Sequence, residues 1–467
     1  MNKPIEDTTN QTTRREFIKK VVASAATVSA ATHAFAIGSD TIQVVLIGCG
    51  GRGTGAAAQA MSVTGGGVKL VAMVDVFQDR LDRSHNGLIK EHKDKMDVPP
   101  DKRIIGFDGY KQAMDALKPG DVAIFTTPLA FRWVHFRYAI EKNLNVFMEK
   151  PLTADGPSSK RMLDLAAQSE KKGLKVGVGL MSRHHRPLEQ LHKKIQDGDL
   201  GEIILMRGYR MAAGPLAECF SLPCPPGMNE LEYQIRRFHS FLWASGGLYN
   251  DFYIHHVDHL CWMKSTDDKN VWPVKAQAVG GRHYRGEHVD QNFDSYAVEY
   301  TFGDGTKLYM DGRNMNGAAE FYFSHAHGTK GMAVVASNGD FGNSPRPPTS
   351  VHSGQNPTRE SAIWTAKSPA GEENPYQNEW NSLVDAIRNN KPYNEARRGV
   401  EASIACNMGR MAAHTAQEIT WDDALNCEQE FAPNADKLVL GGAAPLVADA
   451  NGKYPIPEPG IKKNREY

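Results

Sequence analysis

Thr41-Ile-Gln-Val-Val-Leu-Ile47 is a continuous β-branched and apolar run, Gly48-Cys-Gly-Gly-Arg-Gly53 follows it without a break, and Thr54-Gly-Ala-Ala-Ala-Gln-Ala-Met61 can begin a helix. A run without polar alternation suits a strand buried on both faces of a parallel sheet. In that setting each spaced glycine has its own task. Gly48 permits a tight turn, Gly50 lets the backbone approach a pyrophosphate, and Gly53 lets helix and strand pack closely. Phosphates would rest on the helix N-terminus, where free N–H groups and the helix dipole favour anions. Gly51 and Arg52 belong to the same turn and join the candidate cofactor residues. A chain with 43 glycines contains such triplets by chance, so the neighbouring segments decide.

Val68-Lys-Leu-Val-Ala-Met-Val-Asp75 ends in an acid at about the spacing of a ribose-binding carboxylate. Asp75 would accept from both ribose hydroxyls and repel a 2′-phosphate, which favours NAD over NADP; a helix-capping aspartate is the structural alternative. Asp121-Val-Ala-Ile-Phe-Thr126 then leads into Thr127-Pro128, and Asn145-Val-Phe-Met148 leads into Glu149-Lys150-Pro151, so that Thr127, Pro128, Glu149 and Lys150 join the candidates for cofactor contact. A helical stretch from Ser158 to Lys171 and a last strand, Lys175-Val-Gly-Val-Gly179, complete the alternation of a doubly wound α/β sheet. A lysine at the end of a buried strand, facing a dinucleotide site, can take part in proton transfer beside a nicotinamide ring.

The chain has 467 residues, too many for one small core, so two domains are expected. Its 54 basic and 54 acidic side chains cancel, which favours neither a nucleic-acid groove nor a membrane surface. Six cysteines are scattered along it; only Cys219 and Cys224 are close, and spacing does not determine whether they pair. At the N-terminus Thr13-Arg14-Arg15-Glu16-Phe17-Ile18-Lys19 has the twin-arginine pattern. An Ala/Val/Ser stretch from Val21 to Ala31 follows, then the small-x-small site Ala34-Phe35-Ala36. The apolar part is too short for a membrane helix. The expectation is a signal peptide over 1–36, cleaved near Ala36, and a mature periplasmic protein. Such export carries folded proteins into a compartment without a nicotinamide pool, so a cofactor should be tightly held and recycled in place.

One further motif is Gly246-Gly247-Leu-Tyr-Asn-Asp251-Phe-Tyr-Ile-His255-His-Val-Asp258. Together with Gly48–Gly53, Asp75, Thr127-Pro128 and Glu149-Lys150-Pro151-Leu152, it resembles the Gfo/Idh/MocA oxidoreductases, named for glucose–fructose oxidoreductase and inositol dehydrogenase. The resemblance implies a Rossmann domain over 37–181 and an α/β domain with a large open, mainly antiparallel sheet over 182–427. A C-terminal extension over 428–467 would follow, hugging the surface, and two helices are expected at Tyr376–Asn389 and Arg397–Gln417. It also implies a homodimer or homotetramer.

Asp251 and His255, at i and i+4, share one helical face and can address one hydroxyl. The resemblance makes His255 the acid–base group, with Asp251 holding the substrate or orienting the imidazole, and Lys150 bonding the reacting oxygen as hydride leaves. Asp258 would be structural, and His256 and His259 core residues. Arg183-His184-His185-Arg186 follows the last Rossmann strand, where relatives contact substrate, so Arg183 and His184 are candidates. Trp133, Tyr249 and Tyr253 could stack on a sugar ring or could be core aromatics. Relatives commonly carry a histidine soon after Thr-Pro; here Arg132 takes that place. His255-His256-x-x-His259 has a zinc-like spacing, but no third ligand can be named and hydride transfer needs no metal, so none is expected.

Three functions fit. The first is an oxidoreductase with bound NAD acting on a sugar, polyol or glycoside. The second is a redox-neutral glycosidase working by transient oxidation, elimination and re-reduction. The third is a sugar-binding protein without turnover, which the intact Lys150, Asp251 and His255 argue against.

Overall fold

The structure is a computed structural model that describes residues 41–467 apart from 65, 267–268, 284–285 and 337–346. The signal-peptide reading therefore lies outside the described residues. The first sheet comprises β1 (Ile42–Ile47), β2 (Val68–Asp75), β3 (Arg103–Ile105), β4 (Val122–Phe125), β5 (Asn145–Met148) and β6 (Val176–Val178). All its pairs are parallel, in the order β3-β2-β1-β4-β5-β6. Val44, Val45 and Leu46 have no exposed surface, as their unbroken apolar run requires. Helices α1 (Gly51–Met61), α2 (Gln78–His92), α3 (Gly109–Met114), α4 (Arg132–Glu141) and α5 (Gly156–Lys171) connect the strands. The strand order reverses between β1 and β4, which opens a crevice at their carboxyl ends.

After α6 (Arg186–Gln196) the chain builds a nine-stranded sheet. Its members are β7 (Ile203–Ala212), β8 (Lys275–Gly281), β9 (Ser295–Thr301), β10 (Lys307–Asn314), β11 (Phe321–Gly328), β12 (Met332–Val335), β13 (Ser350–His352), β14 (Ala362–Thr365) and β15 (Ile419–Thr420). The order is β14-β13-β12-β11-β7-β10-β9-β8-β15. Among the described residues only β7 and β10 pair in parallel; the other pairs are antiparallel and the edges stay open. Burial alternates along β11, so Tyr322, Ser324 and Ala326 face inward while Phe321, Phe323, His325 and His327 face out. Between β7 and β8 lie α7 (Glu230–Arg236), α8 (Leu242–Ser245) and α9 (Gly247–Lys264). The last of these covers the inward face.

Helix α10 (Pro375–Arg388) returns to the first sheet, where Trp380 stacks on Phe147 of β5 with ring centroids 4.6 Å apart. Helix α11 (Ala396–Thr415) is buried along almost its whole length and packs against α9 and α5. Both agree with their expected positions to within about two residues. A short α12 (Trp421–Asn426) leads into the tail. The tail does more than lie on the surface: Glu466 near its end is 2% exposed and paired to Arg410 inside the molecule. Cys219 and Cys224 are both free thiols. No described helix is long and apolar enough to cross a membrane.

Candidate active site

The crevice at the switch point continues into a cleft against α9 and the second sheet. At its first-sheet end, Gly48 has φ +98°, and a Cβ there would sit 2.8 Å from the Thr126–Thr127 backbone. A Cβ on Gly53 would come within 2.0 Å of the Gly48 carbonyl oxygen, so only hydrogen fits between helix and strand. At Gly50 and Gly51 a Cβ would meet nothing within 4 Å, because these residues face the open cleft. No side chain caps α1, which leaves its first-turn N–H groups for an anion. Asp75 accepts from the backbone N–H of Cys49 at 2.7 Å and of Phe77 at 2.9 Å. Each of its oxygens keeps lone-pair capacity for a ribose hydroxyl. Burial pushes the Asp75 pKa up, and the N–H donors pull against it. The set fits an adenine dinucleotide.

Arg52 and Glu149, both candidates for cofactor contact, hold each other: Arg52 Nε donates to Glu149 Oε1 at 2.5 Å. The Arg52 guanidinium lies 4.5 Å from the Tyr376 ring centroid and 3.5 Å from buried Glu379. Burial raises the Glu379 pKa well above the usual carboxylate range. Thr127 and Pro128 line the cleft. Arg132 is 2% exposed and donates to the carbonyls of Phe125 (2.9 Å) and Thr127 (3.1 Å). Its two terminal nitrogens thus brace the end of β4. His135, one helical turn on, lines the cleft 3.4 Å from Thr127 Oγ1. Burial, helped by Arg132, lowers its pKa to about 3.

At the other end Lys150 Nζ donates to the Asp251 carbonyl at 2.6 Å and to Asp251 Oδ1 at 3.1 Å. Gly246 and Gly247, at φ +74° and +75°, turn the chain into α9 and so aim its second turn at the lysine. Asn250 Nδ2 bonds the Thr153 carbonyl at 2.8 Å, tying α9 to the segment that follows Lys150. The second Asp251 oxygen goes to His239 Nδ1 at 2.5 Å. Asp251 therefore orients His239, whereas the sequence had offered His255 as the imidazole it positions. Burial alone would raise the Asp251 pKa; Lys150 and then His239 outweigh it and hold the group at about 2. His255 also lines the cleft, with Nδ1 unbonded, and burial followed by the charge of Lys150 depresses its pKa well below 6.5. That environment favours the neutral imidazole.

Three candidates for substrate contact lie elsewhere. Arg183 grips Asp258, donating from Nη2 to Oδ1 at 2.8 Å, and His184 meets Glu395 at 3.2 Å. Arg183 is half-buried and His184 buried, and neither lines the cleft. Tyr253 is fully buried, packed against Tyr249 and Tyr296. It lies two residues from Asp251, about 200° around the helix, and so points the opposite way. Trp133 and Tyr249 are core residues as well. His259 bonds Ser324 Oγ at 2.9 Å, and among the described residues no group of three His, Cys, Asp or Glu could hold a metal ion.

His239 and Arg210 are among the cleft residues that the sequence does not mark as candidates. His239 sits in a short turn, Phe238–Ser240, that carries no periodic signal. Arg210 did leave one: it follows Met206 and Gly208 on the inward face of an alternating strand, where a charge is out of place.

No family model matches the chain. Over 150 residues it is 26% identical to the inositol 2-dehydrogenase of Corynebacterium glutamicum, a match covering 32% of this chain and 44% of that protein. The chain thus spans less than half the length of the curated relative it matches. Solved structures superpose on about four-fifths of the chain. The myo-inositol 2-dehydrogenase of Lactobacillus plantarum superposes with TM-score 0.58 at 18% identity, over 81% of this chain and 99% of that one. The chain has the fold of the inositol dehydrogenases. Scyllo-inositol dehydrogenase of Lactobacillus casei, solved with NAD(H) and scyllo-inositol, gives 0.57 at 21% identity over 82% and 99% of the two chains. The aldose–aldose oxidoreductase of Caulobacter crescentus, solved with glycerol, gives 0.60 at 15% identity over 81% and 99%.

Proposed function

We propose that this protein is an NAD(H)-dependent oxidoreductase moving hydride to or from a hydroxyl-bearing carbon of a sugar, polyol or glycoside. The observation that carries the reading is one cleft with two equipped ends. A glycine cradle and Asp75 lie at one end, and Lys150 bonded to Asp251 lies at the other. The likeness to inositol dehydrogenases supports it.

Gly50 and Gly51 would hold the phosphates of NAD and Asp75 its ribose; the bound nicotinamide supplies the hydride acceptor. The chain's own residues manage the proton. Lys150 has three N–H donors; with two directed at Asp251, the third is left for a substrate oxygen. Asp251 stays ionised and fixes the ammonium group. His255, neutral, accepts a hydrogen bond from the substrate hydroxyl or takes its proton. His239 closes the second Asp251 oxygen and sits at the cleft margin with 19% of its side chain exposed. It holds Asp251, and through it Lys150, in place.

The export reading of residues 13–36 adds that the cofactor is retained and recycled within the site. Phe321 (41% exposed) and Val279 (72% exposed) on the strands of the open sheet support association into a homodimer or homotetramer. The test is mass spectrometry and absorbance of the purified protein, then addition of sugars and glycosides. Co-purified NAD that becomes reduced on adding a sugar supports the proposal. Sugar release from a glycoside without net reduction would replace it with the hydride-borrowing glycosidase. A chain free of nucleotide would remove the retained-cofactor reading.

A further inference from the structure

Arg210 lies on β7, directly opposite Tyr322 of β11 in register, with its guanidinium 4.7 Å from the Tyr322 ring centroid. Both residues line the cleft beside His255. The other cations lining it are engaged. Arg52 is held by Glu149, Arg80 by the Arg236 carbonyl, Arg132 by two backbone carbonyls and Lys150 by Asp251. The cleft carboxylates are committed in turn: Glu149 to Arg52, Asp75 to two backbone N–H groups, and Asp251 to Lys150 and His239. Among the described residues Arg210 has the ring contact and no ion pair.

A permanent cation kept half-buried without a counter-ion is costly unless something completes it. Its planar fork suits an oxyanion held by two parallel hydrogen bonds. Stacking on Tyr322 fixes the plane of that fork. Lys150 addresses the reacting carbon's oxygen from the strand end, while Arg210 reaches the same cleft from the second sheet. A ligand touching both must carry its anion at a distance from the hydroxyl that reacts.

We infer that Arg210 is a binding site for an oxyanion on the substrate, so that the sugar acted on is acidic, bearing a carboxylate or a phosphate. This rests on the oxidoreductase reading and deepens it. It predicts that sugar acids outcompete the corresponding neutral sugars through binding at Arg210.

The experiment uses the NAD-loaded full chain with glucose, glucuronate and glucose 6-phosphate, and with galactose and galacturonate, against Arg210→Gln and Arg210→Lys. The expected result is a kcat/KM for one acidic class at least about tenfold above its neutral parent, a modest fraction of what a charge-assisted pair supplies. Arg210→Gln should bring that ratio close to one, chiefly through KM, with nucleotide still bound. Arg210→Lys should keep part of the preference, which also controls for misfolding. Whichever acid is preferred separates carboxylate from phosphate. Equal use of neutral and acidic sugars, or a preference untouched by Arg210→Gln, overturns the inference. If no sugar reduces the nucleotide, the oxidoreductase reading fails on its own, and thermal-shift titration with the same compounds decides the site. Acid-specific stabilisation lost in Arg210→Gln sustains it; no stabilisation of the wild type refutes it.

Discussion

Glu466→Gln should destabilise the protein by about 3 kcal/mol at neutral pH. In the folded chain Arg410 donates to Glu466 at 2.7 and 2.9 Å, and His414 meets the same carboxylate at 2.6 Å. Arg410 and His414 have no exposed side-chain surface, and Glu466 has 3%. Burial alone would raise the Glu466 pKa; Arg410 and then His414 reverse this and take it from 4.5 to about 2. That displacement amounts to about 3 kcal/mol of preference for the ionised form. Leaving the Arg410 charge buried without its partner gives the same scale, roughly 3–5 kcal/mol. The sign follows from a folded pKa below the unfolded one. The contribution is complete above about pH 4.5 and vanishes as pH falls toward 2, so the gap between wild type and variant should close over that window. Urea unfolding monitored by tryptophan fluorescence, repeated from pH 7 to pH 3, measures it. Replacing both partners, as Glu466→Gln with Arg410→Met, should recover part of the loss because no bare charge remains. A gap below about 1 kcal/mol at pH 7, or one that does not narrow in acid, would refute the reasoning.

Gly53→Ala forces a methyl group into a 2.0 Å space beside the Gly48 carbonyl, so the protein should purify without nucleotide, read from its absorbance ratio. Lys150→Ala should abolish hydride transfer with nucleotide still bound; surviving turnover would remove Lys150 from the chemistry. His239→Gln leaves Asp251 Oδ2 without its imidazole partner, and kcat should drop about 10²-fold at unchanged nucleotide content. A wild-type kcat in that variant would make His239 a spectator.

The first sheet was legible because its long strands are mostly apolar and lead into turns with chemical meaning. β3 escaped because three residues, Arg103–Ile105, carry no period. On α9 the sequence pattern separates good expectations from poor ones by angle. Asp251 and His255 are four apart and meet in the cleft, whereas Tyr253 lies between them and faces the core. Arg183 and His184 were read from position alone, and position does not reveal that Asp258 and Glu395 pair with them. His239 was out of reach for a related reason. Its role depends on a turn brought back against α9 by tertiary contacts, with no local signal to mark it. Charges whose partners are distant in sequence are what one chain cannot display.

That lesson bears on how the site holds its geometry. Lys150 and Asp251 are 101 residues apart, one just past a strand end of the first sheet and the other on the helix that covers the second sheet. Their approach depends on how two short segments, 151–155 and 246–250, sit against each other. Arg410 binds both, through the Ala154 carbonyl at 2.7 Å and the Gly246 carbonyl at 2.8 Å. Asn407 lies between, accepting from Arg410 and from Asn250. A displacement of about 1 Å at a reacting pair can cost on the order of 10²-fold in rate. Glu466 supplies the charge that lets this guanidinium remain buried, so the tail belongs to the machinery of the site even though none of it lines the cleft.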